Sequence, residues 1–350
     1  MKSSLTIAVC LFAVICLAAC EVVLVTPPAT TQAEAPSIVS TEQASADQVS
    51  IDEWIPDNVS PKAQTFYRTL FQYPDYSERI WKVVDLIAEA ENEYGVVYTT
   101  EPINANGVEA SWIRTAETKD EGKALLYFHG GAYISRWVVT PFAVAVAHES
   151  GTPVLSVDYR LAPDYPFPAA VEDTTKLYQW LLTQGYEAKD IAIFGDSAGG
   201  GLTLATVLAL QAAGQPLPAA VALASPWTDL TLSGDAYEIT AHLDPIQTYS
   251  VLDNAAAQYA DETERTHPHL SPLFADYSAD FPPMLIQVGT REIFLTDASM
   301  LAQVARQADV EVTLDVWAGM WHIWHYFPNI PEGLQANREM SDFLKHHLGD

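Results

Sequence analysis

Apolar residues recur along this chain with two different periods. Over residues 61–73 and 77–93 they return every three or four positions, the spacing of one helix face. In the second stretch Ile80, Trp81, Val84, Ile87 and Ala88 carry the pattern, and Ser77 stands where an N-cap is expected. From residue 96 the period shortens. Val96–Thr100 and Ala110–Thr115 are rich in strand-forming residues and flank the turn-prone Asn104-Ala-Asn-Gly107, a hairpin pattern. Six more strands are expected at 123–128, 152–158, 190–195, 219–225, 283–288 and 310–317. Their centres, such as Ala124-Leu-Leu-Tyr-Phe128, are unbroken apolar runs. Runs of this kind suit strands covered on both faces.

Helical spacing fills most of the gaps between these strands, notably at 197–213, 297–308 and 332–347. Strand–helix alternation after an opening hairpin predicts an α/β fold: a mostly parallel sheet of eight strands, flanked by helices, with an antiparallel start. Residues 51–95 precede the alternation and read as an N-terminal helical cap, leaving 96–350 as the main domain. Within that domain 229–262 also breaks the alternation and is a second candidate for the cap. A cap belongs over the strand ends, where open α/β sheets place ligands.

The first nineteen residues read as an address. Lys2 is followed by the apolar run Ile7–Ala19, and the ending Leu17-Ala18-Ala19-Cys20 resembles the bacterial lipobox. On that reading residues 1–19 are a lipoprotein signal peptide and Cys20 is the lipidation site. The alternative is an ordinary signal peptide with an incidental cysteine. Residues 20–50 contain no Lys, Arg or aromatic residue and are rich in Thr, Ser, Ala, Gln and Pro. Such a segment buries too little surface to offset its ordering entropy, so it is expected to be a flexible acidic tether. Acyl chains on Cys20 would be the membrane anchor, with the folded domain exported and held at the cell envelope. Glu21 in place of Asp favours the outer membrane if the cell has one. The three cysteines are Cys10, Cys16 and Cys20, so cleavage and acylation leave no disulfide in the mature chain.

Composition narrows the function classes. Of 350 residues 49% are hydrophobic and 18% charged, which supports a sizeable core and excludes disordered, collagen-like and coiled-coil proteins. Seventeen Lys and Arg face 45 Asp and Glu, a net charge of −28. That balance repels phosphate backbones, so nucleic acid is set aside as a partner.

The chemistry concentrates around Gly195-Asp-Ser197-Ala-Gly199, preceded by a strand and followed by a helical pattern. In that context a G-x-S-x-G segment is a nucleophile elbow, a tight strained turn that lifts a serine hydroxyl above the sheet. The bland alternative is a glycine-rich turn with an N-capping serine. A serine is a weak nucleophile until a base takes its proton, and the developing oxyanion needs donors. His129-Gly130-Gly131-Ala132-Tyr133 follows strand 123–128 directly, and its glycines let backbone N–H groups approach a ligand. Candidate oxyanion donors are the N–H groups of Gly130, Gly131 and Ala198, with His129 pinning the loop.

These segments occur together with Tyr159-Arg-Leu-Ala-Pro163, Pro166-Phe-Pro-Ala-Ala170 and Ser225-Pro-Trp-Thr-Asp229. In that order, over roughly residues 55–348, they resemble the bacterial esterases similar to hormone-sensitive lipase, within the α/β-hydrolase fold. The resemblance implies a cofactor-free Ser-His-acid carboxylic-ester hydrolase that prefers short acyl chains, with a small-molecule ester as its partner. It aligns Gly319-Met-x-His322, which makes His322 the base and His325 the runner-up. For the acid it aligns Glu292 with a position that is Asp in many relatives. Asp297 is the alternative, with N-capping of the following helix as its structural role. Asp196 is expected to support the elbow. Tyr133, Trp137, Trp227 and Phe294 are candidates to line the substrate pocket. No H-E-x-x-H or paired-histidine spacing calls for a metal. A lactone or amide hydrolase of the same fold and a non-catalytic binding module remain the alternatives, and the sequence leaves monomer and homodimer open.

Overall fold

The computed structural model describes residues 51–119 and 121–349; the predicted signal peptide, Cys20 and the tether lie outside them. Eight strands form one sheet: β1 (Tyr98–Ala105), β2 (Val108–Thr115), β3 (Ala124–Phe128), β4 (Val154–Asp158), β5 (Ile191–Asp196), β6 (Val221–Ala224), β7 (Met284–Gly289) and β8 (Val312–Trp317). Their order is β1-β2-β4-β3-β5-β6-β7-β8. Both pairings of β2 are antiparallel and all the others are parallel. Strands β3, β5, β6 and β7 are buried along their whole length, as their unbroken apolar runs require.

The hairpin is longer than its sequence pattern indicates. Ala105 pairs directly with Val108, so Asn106 and Gly107 alone make the turn. Both have positive φ, 53° and 88°, the geometry a two-residue hairpin loop demands.

Helices cover both faces. They are α1 (Pro61–Leu70), α2 (Tyr76–Tyr94), α3 (Pro141–Ser150), α4 (Ala169–Thr183), α5 (Ala198–Ala212), α6 (Ala236–Ile239), α7 (Tyr249–Tyr259), α8 (Leu295–Gln307) and α9 (Pro331–His347). The N-cap of α2 is Asp75, not the expected Ser77. The Asp75 backbone is extended, and its carboxylate accepts the Ser77 and Glu78 N–H groups. Among the described residues no helix is long and apolar enough to cross a membrane.

Helices α1 and α2 belong to the same compact unit as the sheet. Helix α1 packs on the segment that follows β8. Phe66 stacks on Trp321 at 4.0 Å, and the Tyr67 hydroxyl donates to Gly319 O at 2.8 Å. Residues 51–60 reach the segment after β7, where Arg291 donates to Trp54 O. Short helices α6 and α7 occupy the 229–262 stretch. Both segments outside the strand–helix alternation therefore converge on the carboxyl ends of β7 and β8.

Candidate active site

Strand β5 runs straight into Ser197, which has φ 54° and ψ −124°, and α5 begins at the next residue. This is a sparsely populated backbone region for a residue with a side chain, and holding it costs of the order of 1–3 kcal/mol. Neighbours hold it in place. Ser197 N–H donates to Ala224 O and Ser197 O accepts from Trp227 N–H, each at 2.9 Å. The turn also demands a bare backbone two residues on, because a Cβ at Gly199 would sit 1.9 Å from Phe128 O.

His322 comes from the segment between β8 and α9. Its Nε2 lies 3.1 Å from Ser197 Oγ and its Nδ1 lies 3.1 Å from Glu292 Oε2. Glu292 sits in the turn between β7 and α8, where Gly289 N–H donates to its other oxygen. The two segments are joined by Arg291 N–H donating to Met320 O at 3.0 Å. All three side chains are buried; Ser197 is 2% exposed and His322 1%. Burial pushes the imidazole down to about 4, against the pull of Asp244 and Asp196. Burial also raises the Glu292 carboxyl, while the Gly289 N–H, the Ser225 hydroxyl and the His322 Nδ1 around it favour the ionised form. In the resting site the imidazole is therefore neutral, the form that accepts a proton.

Neither alternative residue meets these groups. His325 Nε2 pairs with Gln287 Oε1 at 3.1 Å, and its ring packs on Trp324 and Phe142. Asp297 accepts the Thr228 and Asp229 N–H groups at 2.9 Å each and the Tyr237 hydroxyl at 3.1 Å. It lies in the first turn of α8 and ties that helix to the segment after β6. It is not the N-cap, which is Phe294 with no side-chain hydrogen bond.

The glycine loop follows β3. Gly131, Ala132 and Tyr133 all have positive φ, 105°, 54° and 63°, so the chain curls tightly here. Gly131 O accepts from Ile134 and Ser135 N–H. Among the described residues, the Gly131 and Ala198 N–H groups donate to no backbone carbonyl. His129 pins the loop: its Nδ1 contacts Gly130 O at 2.6 Å and its ring stacks on Tyr159 at 4.4 Å. Asp196 lies beneath, taking the Tyr127 hydroxyl at 2.5 Å and the Tyr326 hydroxyl at 3.1 Å, with Gly130 N–H also facing its carboxylate.

Aromatic side chains close the surroundings. Phe294 meets the His322 ring edge-on at 4.9 Å, Trp227 stacks on Phe294 at 6.1 Å, and Tyr133 stacks on Tyr259 at 3.9 Å. Trp137 is only partly buried. Two polar groups escaped the sequence reading. Ser225, with φ 48°, hydrogen-bonds the Glu292 carboxylate and accepts Ile323 N–H at 3.1 Å. Its motif was visible in Ser225-Pro-Trp-Thr-Asp229, but its task was not. Asp244 is a second carboxylate buried beside the imidazole, and no local pattern marks it. Among the described residues no group of three or more His, Cys, Asp or Glu side chains is placed to hold a metal ion.

Comparison with known proteins gives a consistent picture. Residues 125–326 match the sequence pattern of a family described as alpha/beta hydrolase fold. An acetyl-hydrolase of Streptomyces hygroscopicus is 39% identical over 244 residues, 69% of this chain and 81% of that protein. An esterase of Acinetobacter venetianus is 34% identical over 246 residues, 69% of this chain and 80% of that protein. Among solved structures, an esterase from the bacterial hormone-sensitive lipase family superposes with a TM-score of 0.70. It is 37% identical, and the match covers 76% of this chain and 97% of that one.

Proposed function

This chain belongs to the α/β-hydrolase family, among its hormone-sensitive-lipase-like esterases, and is a carboxylesterase-type hydrolase; on that premise we propose that it cleaves short-chain acyl esters through a Ser197–His322–Glu292 triad. The observation that carries this reading is the unbroken line of contacts from Glu292 through His322 to the Ser197 hydroxyl, 3.1 Å at each step.

Ser197 Oγ attacks the ester carbonyl carbon while its proton passes to His322 Nε2. Glu292 accepts from Nδ1–H, which keeps Nε2 free as the acceptor and stabilises the imidazolium as it forms. The carbonyl oxygen becomes an oxyanion that the N–H groups of Gly131 and Ala198, which donate to no backbone carbonyl among the described residues, can meet; Gly130, also expected as a donor, instead directs its N–H to the Asp196 carboxylate. Collapse of the tetrahedral intermediate expels the alkoxide, which takes the proton from His322 and leaves as the alcohol. Water, deprotonated by the same imidazole, then attacks the acyl-serine ester. The products are a carboxylic acid and the regenerated serine.

A preference for short acyl chains is supported by Phe294, which meets the His322 ring edge-on with Trp227 stacked against it. The Streptomyces relative is itself named an acetyl-hydrolase. The test is a panel of p-nitrophenyl esters of increasing acyl length, run on the natural enzyme and on Ser197→Ala. Turnover should fall with chain length and vanish in the variant. Turnover that persists in Ser197→Ala, or that rises with chain length, overturns the reading.

For the cell, the reading is an exported lipoprotein held at the envelope through Cys20. Metabolic labelling with a palmitate analogue should mark the natural chain and miss Cys20→Ser. Equal labelling of both removes the proposed anchor.

A further inference from the structure

The peptide unit that joins Glu292 to Ile293 is held on both of its polar sides by the 236–247 segment. Ile293 N–H donates to Asp244 Oδ2 at 3.2 Å, and the Thr240 hydroxyl lies 2.9 Å from Glu292 O. That hydroxyl is also 2.8 Å from Ala236 O, so one hydrogen is shared between two carbonyls. Thr240 and Asp244 are linked, since Asp244 N–H donates back to Thr240 O at 3.2 Å. Asp244 Oδ1 meanwhile accepts the Ile246 and Gln247 N–H groups at 2.9 and 3.1 Å. Three N–H donors spread over both oxygens select an ionised carboxylate. An asparagine in the same place would turn its NH2 group toward a donor.

We propose that Thr240 and Asp244 are positioning residues for the reaction: they clamp the Glu292–Ile293 peptide and thereby set where the Glu292 carboxylate meets His322. The inference rests on the triad reading above. A glutamate has one more rotatable bond than an aspartate, so its carboxylate is placed accurately only if its backbone is immobile. A misplacement of about 1 Å near reacting groups costs on the order of 100-fold in rate.

Asp244 also lies among other titratable groups. It faces His322 and Glu292 from their two segments, and Tyr67 of α1 and Tyr76 of α2 from the cap. His322 in turn faces Glu292 and Asp196 as well as Asp244. Burial lifts the Asp244 carboxyl to about 6, so it is already neutral near 4, where the imidazole takes its proton, and its part in the site is one of position.

The test compares the full-length enzyme with Asp244→Asn, Thr240→Val, Thr240→Ser and Glu292→Gln, plus Asp244→Asn combined with Glu292→Gln, using p-nitrophenyl acetate over a pH series. Asp244→Asn should lower kcat about 10- to 100-fold and leave KM within about threefold. Thr240→Val should lower kcat by about threefold or more, and Thr240→Ser should restore it. In the Glu292→Gln background, Asp244→Asn should cost less than about twofold more, because groups acting as one unit are not additive. Equal costs in the two backgrounds, or an unchanged kcat in both Asp244→Asn and Thr240→Val, overturn the clamp. If Asp244→Asn does not fold, the Thr240 pair decides alone, and natural kcat in Thr240→Val sinks the proposal. Unimpaired Asp244→Asn and Thr240→Val beside an inactive Ser197→Ala remove only the clamp, whereas an active Ser197→Ala removes the triad reading itself.

Discussion

Ser197 and Glu292 are both held where an isolated residue would not stay. Ser197 is locked at positive φ by its neighbours, and Glu292 carries its carboxylate into a dry site against a strong pull toward protonation. Glu292→Gln keeps the shape but offers NH2 as well as oxygen to His322 Nδ1, so the wrong imidazole tautomer becomes available. By the triad mechanism kcat falls about 10,000-fold, measurable with p-nitrophenyl acetate; a loss below tenfold would mean that Glu292 does not orient the base. The proposed base, His322, sets a pH dependence. Its folded value is about 4, below the usual 6.5, so the imidazole stays neutral as pH falls through 6.5 and loses its proton-accepting form only near 4. A plot of kcat/KM against pH should therefore have its acid limb clearly below 6.5, and a limb at or above 6.5 would contradict a buried neutral base.

Helices α1 and α2 show how an element outside the sheet governs the site. Phe66 of α1 lies flat on Trp321, the residue before His322, and Tyr67 holds Gly319 O in the same segment. The N-terminus of α1 is fastened to α9. The Ser60 hydroxyl caps Ala63 N–H at 3.2 Å and donates to Glu332 at 2.8 Å. Phe66→Ala removes a buried ring and should cost about 3 kcal/mol of stability, read from urea denaturation. Because the lost ring is the one bracing the His322 segment, kcat should fall as well; a stability loss with unchanged kcat would separate the cap from the catalytic geometry. The helical period of α2 was plain from Ile80, Val84 and Ile87, since an amphipathic face is a local pattern. Which surface α1 covers was not, because Phe66 and Trp321 are far apart in the chain.

On the scale of the molecule the dominant feature is charge, −28 with only 17 Lys and Arg. Three of its carboxylates, Asp196, Asp244 and Glu292, are buried around the imidazole. A field of this sign concentrates neutral or cationic esters relative to anionic ones and is erased by salt. The screening length falls from about 30 Å at 0.01 M to about 3 Å at 1 M ionic strength. For an ester bearing a free carboxylate, kcat/KM should rise several-fold over that range, while a neutral ester of the same acyl length changes little. Parallel salt responses for the two esters would show that the charge does not reach the site.

Local patterns were enough for the strand count, the buried character of β3, β5, β6 and β7, and the elbow at Ser197, because periodicity, apolar runs and G-x-S-x-G spacing are properties of neighbouring residues. The glycine loop was readable for the same reason, whereas the proposed order Ser197, Glu292, His322 rested on the resemblance to the hormone-sensitive-lipase-like esterases. The choice between His322 and His325, or between Glu292 and Asp297, could not be made on local chemistry. Each pair lies within one short segment, and what separates them is which side chain faces Ser197 and which faces Gln287 or the Thr228 amide. Ser225, Thr240 and Asp244 were invisible as supports for the same reason. Their partners lie between about fifty and a hundred residues away, and only packing of the segments over the ends of β6, β7 and β8 brings the hydrogen-bonding groups to within about 3 Å.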